Sequence, residues 1–249
     1  MKVLFCFLLL FLFAIAHSQG NLAFNEAQLN TIINSEKHYS EYLLEYKNYS
    51  LASIYLDDKD SIVQPVYFFE QIYKKSFFPL RAKNLDKFKL FAVETWPNKQ
   101  IREWVTGDAY LHYRTYSLIG KKFITSELQD IDGLKIDSNS IKDKTVFVKV
   151  WFIACAPCVD EMPMLNKIVR KNKKNNQLLF ISLAFDSSHA LKRFLTTREF
   201  AYKTIPVPKS YIFHTLGIIS FPTHFVVKNN EIVAVLKSHE IEGYINQLK

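Results

Sequence analysis

The sequence predicts an α/β protein, with a central mixed β-sheet flanked by helices in residues 116–249 and an aromatic-rich N-terminal extension or small domain in residues 19–115. Three observations carry this reading. Beyond residue 116, β-prone apolar runs and amphipathic stretches follow the order β-α-β-α, then a hairpin and a helix. A Cys-x-x-Cys pair stands where one of these strands meets a helix. Residues 1–18 follow the pattern of an export segment and are set aside from the fold.

The export segment comes first in the chain. Met1-Lys2 is followed by an uncharged apolar run from Val3 to Ala16, with small residues at Ala14, Ala16 and Ser18. That run is shorter than the roughly 20 residues of a membrane span, so it reads as a signal peptide, with an uncleaved anchor as the alternative. The expected location is periplasmic or otherwise extracytoplasmic, with the chain membrane-anchored if the segment is retained. Cys6 lies inside the apolar run and behaves as a small hydrophobe.

The whole 249-residue chain is 49% hydrophobic and 15% aromatic, which excludes a disordered chain and provides for a packed core. The net charge of +8 is spread over many lysines. Its densest run, Arg170 to Lys174, reads as a solvated helix end. No basic–aromatic repeat argues for nucleic acid.

In the N-terminal region, Leu29, Ile32, Ile33, Tyr39, Leu43, Leu44 and Tyr46 predict helix over 24–48. A second helix is expected over 66–78, between Pro65 and Pro79, and a turn at Trp96-Pro97-Asn98. Residues 51–115 show no catalytic constellation. The triplet Asn48-Tyr49-Ser50 is a glycosylation sequon only in a eukaryotic secretory pathway.

In the C-terminal region, Asp132-Gly133 predicts a hairpin. Thr145–Phe152 is a near-continuous apolar run broken by Lys149, as expected of a strand buried on both faces. A helix is expected from Cys158 to Lys173, a strand over 177–185, and a helix capped by Ser187 or Ser188. Strands over 221–228 and 231–236, joined at Asn229-Asn230, and a terminal helix complete the order.

Without Cys6, the remaining cysteines are Cys155 and Cys158. Closing so short a loop adds little stability, so the pair points to chemistry in a compartment where thiols are oxidised. Unpaired N–H groups at a helix start stabilise a thiolate. Cys155, at the open end of the turn, is the expected nucleophile, and Cys158, inside the turn, the expected resolving thiol. Pro157 sits in the first helical turn, where no hydrogen bond is lost. Structural zinc needs four ligands, and neither a second cysteine pair nor paired histidines complete such a set. A purely structural disulfide is the remaining alternative, and no metal or cofactor is expected.

Residues 116–249 resemble the thioredoxin superfamily, and within it the TlpA/ResA-like extracytoplasmic thiol–disulfide oxidoreductases. The resemblance is carried by Ile119-Gly120-Lys121-Lys122-Phe123, Asp132-Gly133, Trp151, Cys155, Cys158, Glu161-Met162-Pro163 and Gly217 to Thr223. It implies a thioredoxin-like fold and a cis Pro222 against the cysteines, the alternative being an ordinary trans proline. It also implies that the backbone of Phe221 is an edge for a substrate strand and that Pro163 kinks the helix. Substrate is expected to dock over Trp151, Pro157, Phe221, Pro222 and Thr223. Glu161 is implied to handle protons; an ordinary first-turn acid is the alternative.

Two positions depart from the pattern. Ala154 replaces the usual tryptophan before the first cysteine. Lys149 stands where thioredoxins carry a buried carboxylate. As a buried cation it would tune the pair toward thiolate; alternatively it snorkels to the strand end. The expected activity is reduction of protein disulfides, with protein thiol/disulfide substrates and a recycling redox partner, membrane-bound or free. Disulfide oxidation or isomerisation, thiol peroxidation and a non-catalytic binding module are the alternatives. No Thr-x-x-Cys precedes Cys155, which weighs against the peroxidase.

Overall fold

The computed structural model describes residues 24, 26–46, 49–50, 53–83, 85–123 and 128–248. Residues 1–18, read above as an export segment, and Asn48 of the sequon lie outside the described residues. Among the described residues no helix is long and apolar enough to cross a membrane.

The N-terminal region opens with α1 (Glu26–Asn34) and α2 (Glu36–Tyr46), two helices where the periodicity predicts one. Next come β1 (Ile54–Leu56), α3 (Pro65–Lys74), β2 (Phe77–Arg81), β3 (Lys87–Ala92) and α4 (Lys99–Tyr116). Pro65 starts α3 where its missing N–H costs nothing. The chain leaves α3 before Phe77, which begins β2, so the helix is shorter than its apolar pattern. The three strands form a small sheet in the order β1-β3-β2. In the turn ahead of α4, Asn98 caps the helix by accepting the Ile101 N–H at 3.1 Å.

The C-terminal region runs through the hairpin β4 (Leu128–Gln129) and β5 (Lys135–Ile136), α5 (Ser138–Ile141), β6 (Thr145–Trp151), α6 (Ala156–Asp160) and α7 (Met162–Lys171). It continues with β7 (Leu178–Ala184), α8 (Ser188–Leu195), β8 (Lys203–Pro206), a π-helical turn (Tyr211–Leu216), β9 (Thr223–Lys228), β10 (Glu231–Leu236), a 3₁₀ turn (Ser238–Glu240) and α9 (Ile241–Asn246). The main sheet has the order β10-β9-β6-β7-β8, with β6 parallel to β7 and antiparallel to β9. This mixed sheet between helices is the thioredoxin-like arrangement. The helix expected over 158–173 is two helices that meet at Glu161, with Pro163 in the first turn of α7.

Strand periodicity places the site. In β6, Val146, Val148 and Val150 join an apolar core that also contains Phe69, Tyr116 and Phe123. Phe147 and Trp151 point to the opposite face, toward α7 and α8, and Lys149 shares their parity. One core therefore runs from the N-terminal region under the main sheet. The link is also polar: Arg114 Nη2 at the end of α4 donates to the Gly217 carbonyl at 2.9 Å.

Candidate active site

β6, the central strand of the main sheet, delivers the chain to the cysteines just beyond its C-terminal end. Cys155 is the N-cap of α6, and its carbonyl accepts the Val159 N–H at 3.1 Å. Cys155 and Cys158 form a disulfide with Cα atoms 5.3 Å apart. Cys158 is fully buried and Cys155 is 6% exposed, flanked by the exposed Ala154, Ala156 and Pro157. Cys155, at the open end of the turn, is thus the more accessible residue of the pair.

The Phe221–Pro222 peptide is cis. Around it stand four half-buried phenylalanines. Phe152 lies 5.3 Å from Phe221 and 4.9 Å from Phe185, and Phe213 lies 6.0 Å from Phe221, ring centre to ring centre. Lys209 covers Phe185 at 5.4 Å. This aromatic face is the surface beside the disulfide.

Two residues expected to meet substrate do not face it. Trp151 is 0% exposed, packed between Phe194 and Phe200 beneath the cysteines. Strand alternation turns it inward and brings its neighbour Phe152 to the surface. Thr223 is buried, and its hydroxyl donates to the Ser220 carbonyl at 2.8 Å, holding the proline loop.

Lys149 does not snorkel. It is fully buried, and its Nζ donates to the Cys158 carbonyl at 2.6 Å and forms an ion pair with Glu161 Oε1. His224, paired with Lys149 across β6 and β9, places Nε2 2.8 Å from the same Oε1. Burial alone would push the Glu161 carboxyl up. The His224 hydrogen bond and the Lys149 charge outweigh it and hold Glu161 at about 2. Burial pushes the His224 imidazole below its usual range, against the pull of Glu161. A neutral imidazole facing an ionised carboxylate carries its proton on Nε2. Burial lowers the Lys149 ammonium as well, and Glu161 opposes the shift. His224 escaped the sequence reading because a lone histidine in a strand carries no spacing signal; its register opposite Lys149 exists only in the sheet.

The geometry fits dithiol–disulfide exchange: a bonded CxxC pair at a helix start, an adjacent cis-proline loop, and a buried ammonium on the Cys158 carbonyl paired with a carboxylate. Residues 119–236 match the model of the AhpC/TSA family. This half of the chain is a thioredoxin-like domain of that family. With its redox CxxC pair it is a thiol–disulfide oxidoreductase domain. Proteins named thiol-disulfide oxidoreductase ResA are similar to it. The one from Bacillus thuringiensis subsp. konkukian is 27% identical over 135 residues, covering 52% of this chain and 78% of that protein. The one from Halalkalibacterium halodurans is 24% identical over 123 residues, covering 49% and 70%. Among solved structures, the thioredoxin domain of a thiol-disulfide oxidoreductase from Bacteroides vulgatus has a TM-score of 0.47 at 20% identity, covering 52% of this chain and 96% of that one. A putative thiol:disulfide interchange protein DsbE from Chlorobium tepidum has a TM-score of 0.45 at 18% identity, covering 52% and 94%.

Proposed function

We propose that the protein reduces protein disulfides outside the cytoplasm through its Cys-Ala-Pro-Cys dithiol. Cys155 attacks one sulfur of a substrate disulfide, breaking its S–S bond, forming a mixed disulfide and expelling the other substrate sulfur as a thiolate. Cys158 then attacks Cys155, which releases the substrate thiol and closes the Cys155–Cys158 bond. The observation that carries this reading is the asymmetric burial of the bonded pair, with Cys155 at the surface turn and Cys158 enclosed.

The remaining roles follow from the surroundings. Glu161 takes part in proton exchange at Cys158, and Lys149 tunes the pair through the Cys158 backbone. Substrate chains dock along Phe221, Pro222 and Pro157, with Phe152 supplying the aromatic contact first assigned to Trp151. A recycling partner returns electrons to the oxidised pair. Residues 1–18 act as the export signal, and residues 19–115 form an extension packed on the domain of residues 116–249. That so many apolar residues of the two regions share one core supports an extension over an independent domain.

The test is the reduction potential of the Cys155–Cys158 pair, read by thiol alkylation after equilibration in glutathione buffers. A value of about −270 mV or lower supports the reductase. A value above roughly −180 mV reverses the direction and makes the protein a donor or shuffler of disulfides.

A further inference from the structure

The family match begins at residue 119, yet the helix that ends just before it reaches the segment leading to the cis proline. Arg114 lies in the last turn of α4, and its Nη2 donates to the Gly217 carbonyl at 2.9 Å. Its Nη1 donates to the Tyr110 hydroxyl one turn back at 2.8 Å, and the guanidinium lies 5.7 Å from the centre of that ring. Tyr110 in turn packs on Tyr73 of α3 at 4.8 Å, ring centre to ring centre. The guanidinium is thus aimed before it meets the loop, because a planar fork held at one nitrogen has little freedom left at the other.

Gly217 closes the π-helical turn Tyr211–Leu216, and its N–H and that of Ile218 both go to the Ile212 carbonyl. Such turns are frequent at functional sites, and this one carries Phe213, whose ring lies 6.0 Å from that of Phe221. Beyond Ile218 the loop is sparsely tied. The N–H groups of Ile219, Ser220 and Phe221 donate to no backbone carbonyl among the described residues. The chain rejoins the sheet at Thr223, which pairs with Val150 and bonds to the Ser220 carbonyl. An edge that pairs with a substrate strand must keep its own backbone groups free, so its position rests on its two ends. The sheet holds the Thr223 end. Arg114, from outside the family match, grips the Gly217 end.

We propose that Arg114 is a positioning residue for disulfide exchange, which sets the loop from Gly217 to Pro222 where Phe213 and Phe221 meet a substrate chain. The inference rests on the dithiol reading above and gives the N-terminal region a part in it: α3 and α4 brace the docking loop. Arg114 bonds to the loop and to Tyr110 rather than to the cysteines, so the sulfur chemistry is independent of it. What it governs is how well an extended chain is held while Cys155 attacks. Losing an interaction made equally in the bound and transition states raises the half-saturating concentration and leaves the limiting rate unchanged.

The test uses the full-length protein, reduced beforehand, and two substrates. One is a peptide whose cysteine is bonded to thionitrobenzoate; the other is free dithionitrobenzoate, which has no chain to dock. Chromophore release at rising concentration gives the half-saturating concentration and the limiting rate. Arg114→Ala should raise the half-saturating peptide concentration about tenfold with the limiting rate held. It should leave the reaction with free dithionitrobenzoate and the glutathione-equilibrated potential unchanged. Arg114→Lys, which keeps one donor for the Gly217 carbonyl, should recover most of the loss. Tyr110→Phe, which frees the guanidinium but keeps the ring, should show a smaller rise of the same kind. Val105→Ala controls for stability: it removes buried bulk nearer the start of α4 and should move neither constant. An unchanged half-saturating concentration in Arg114→Ala, or an equal loss on both substrates, overturns the positioning role. If Arg114→Ala does not fold, Arg114→Lys and Tyr110→Phe decide by the same readout, and no rise in either overturns it. Wild-type protein that reduces neither substrate overturns the dithiol reading itself, and the role of Arg114 falls with it.

Discussion

Lys149 and His224 face each other across β6 and β9 and converge on a single oxygen, Oε1 of Glu161. The cation beneath the cysteines is therefore compensated. Its ammonium reaches the Cys158 carbonyl already paired with a carboxylate, so its pull on the thiolate is smaller than that of an isolated buried cation.

Removing the compensation should expose that pull. In Glu161→Gln the Lys149 charge acts on the cysteines unopposed, which lowers the thiolate pKa and stabilises the reduced form. The potential should rise by about 30 mV, equivalent to a tenfold change in the exchange constant. Glutathione equilibration of wild type and variant reads this directly; an unchanged potential would show that the ion pair does not reach the sulfurs.

Lys149→Met removes the other partner and leaves a buried carboxylate with His224 alone. Breaking a buried pair from one side costs about 3–5 kcal/mol. Urea denaturation should show a loss of that order, larger than for Lys149→Met combined with Glu161→Gln.

The same trio sets an acid limit on stability. Glu161 is held at about 2 in the fold, below the value near 4.3 of an unfolded chain. Its contribution is complete above that unfolded value and is lost as pH falls toward 2. His224 is also lowered, so its contribution is present above about 6.5 and declines below it. Denaturation at neutral, mildly acidic and strongly acidic pH should show stability falling in both windows. His224→Gln should remove the upper decline and Glu161→Gln the lower, the latter worth roughly 3 kcal/mol.

Trp151 and Phe152 are adjacent and should fail differently. Trp151→Ala empties a fully buried site and should cost about 3–5 kcal/mol in stability. Phe152→Ala trims a half-exposed ring of the aromatic face. It should slow reduction of protein disulfides severalfold and leave the reaction with small disulfides unchanged; equal loss on both would remove Phe152 from substrate docking.

Gly217 joins the two regions through its conformation. Its φ of 75° is left-handed, and an added Cβ would stand 3.2 Å from Arg114 Nη2. Gly217→Ala should destabilise by about 1–2 kcal/mol from the backbone alone, and Arg114→Ala by about 1.5–3 kcal/mol for the lost charged hydrogen bond. Thermal melts of the singles and the double should be non-additive, because both disturb one contact.

Local chemistry was legible in the sequence wherever it is written in neighbouring residues. The Cys155–Cys158 spacing, the apolar run into it, the Ser187 cap, the Asp132-Gly133 hairpin and the Asn229-Asn230 turn depend on backbone preferences that act within a few positions. The N-terminal sheet was not legible, because β1 and β2 are short strands without alternation, and the alternating β3 pairs with partners whose strand character the sequence does not mark. Nor was α4, whose helical pattern is diluted by polar residues. Strand register and packing decided the rest. They buried Trp151 and exposed Phe152, compensated Lys149 with Glu161, and set His224 against the same oxygen. A charge's environment is a sum over residues brought together by the fold, and none of those distances is encoded in spacing along the chain.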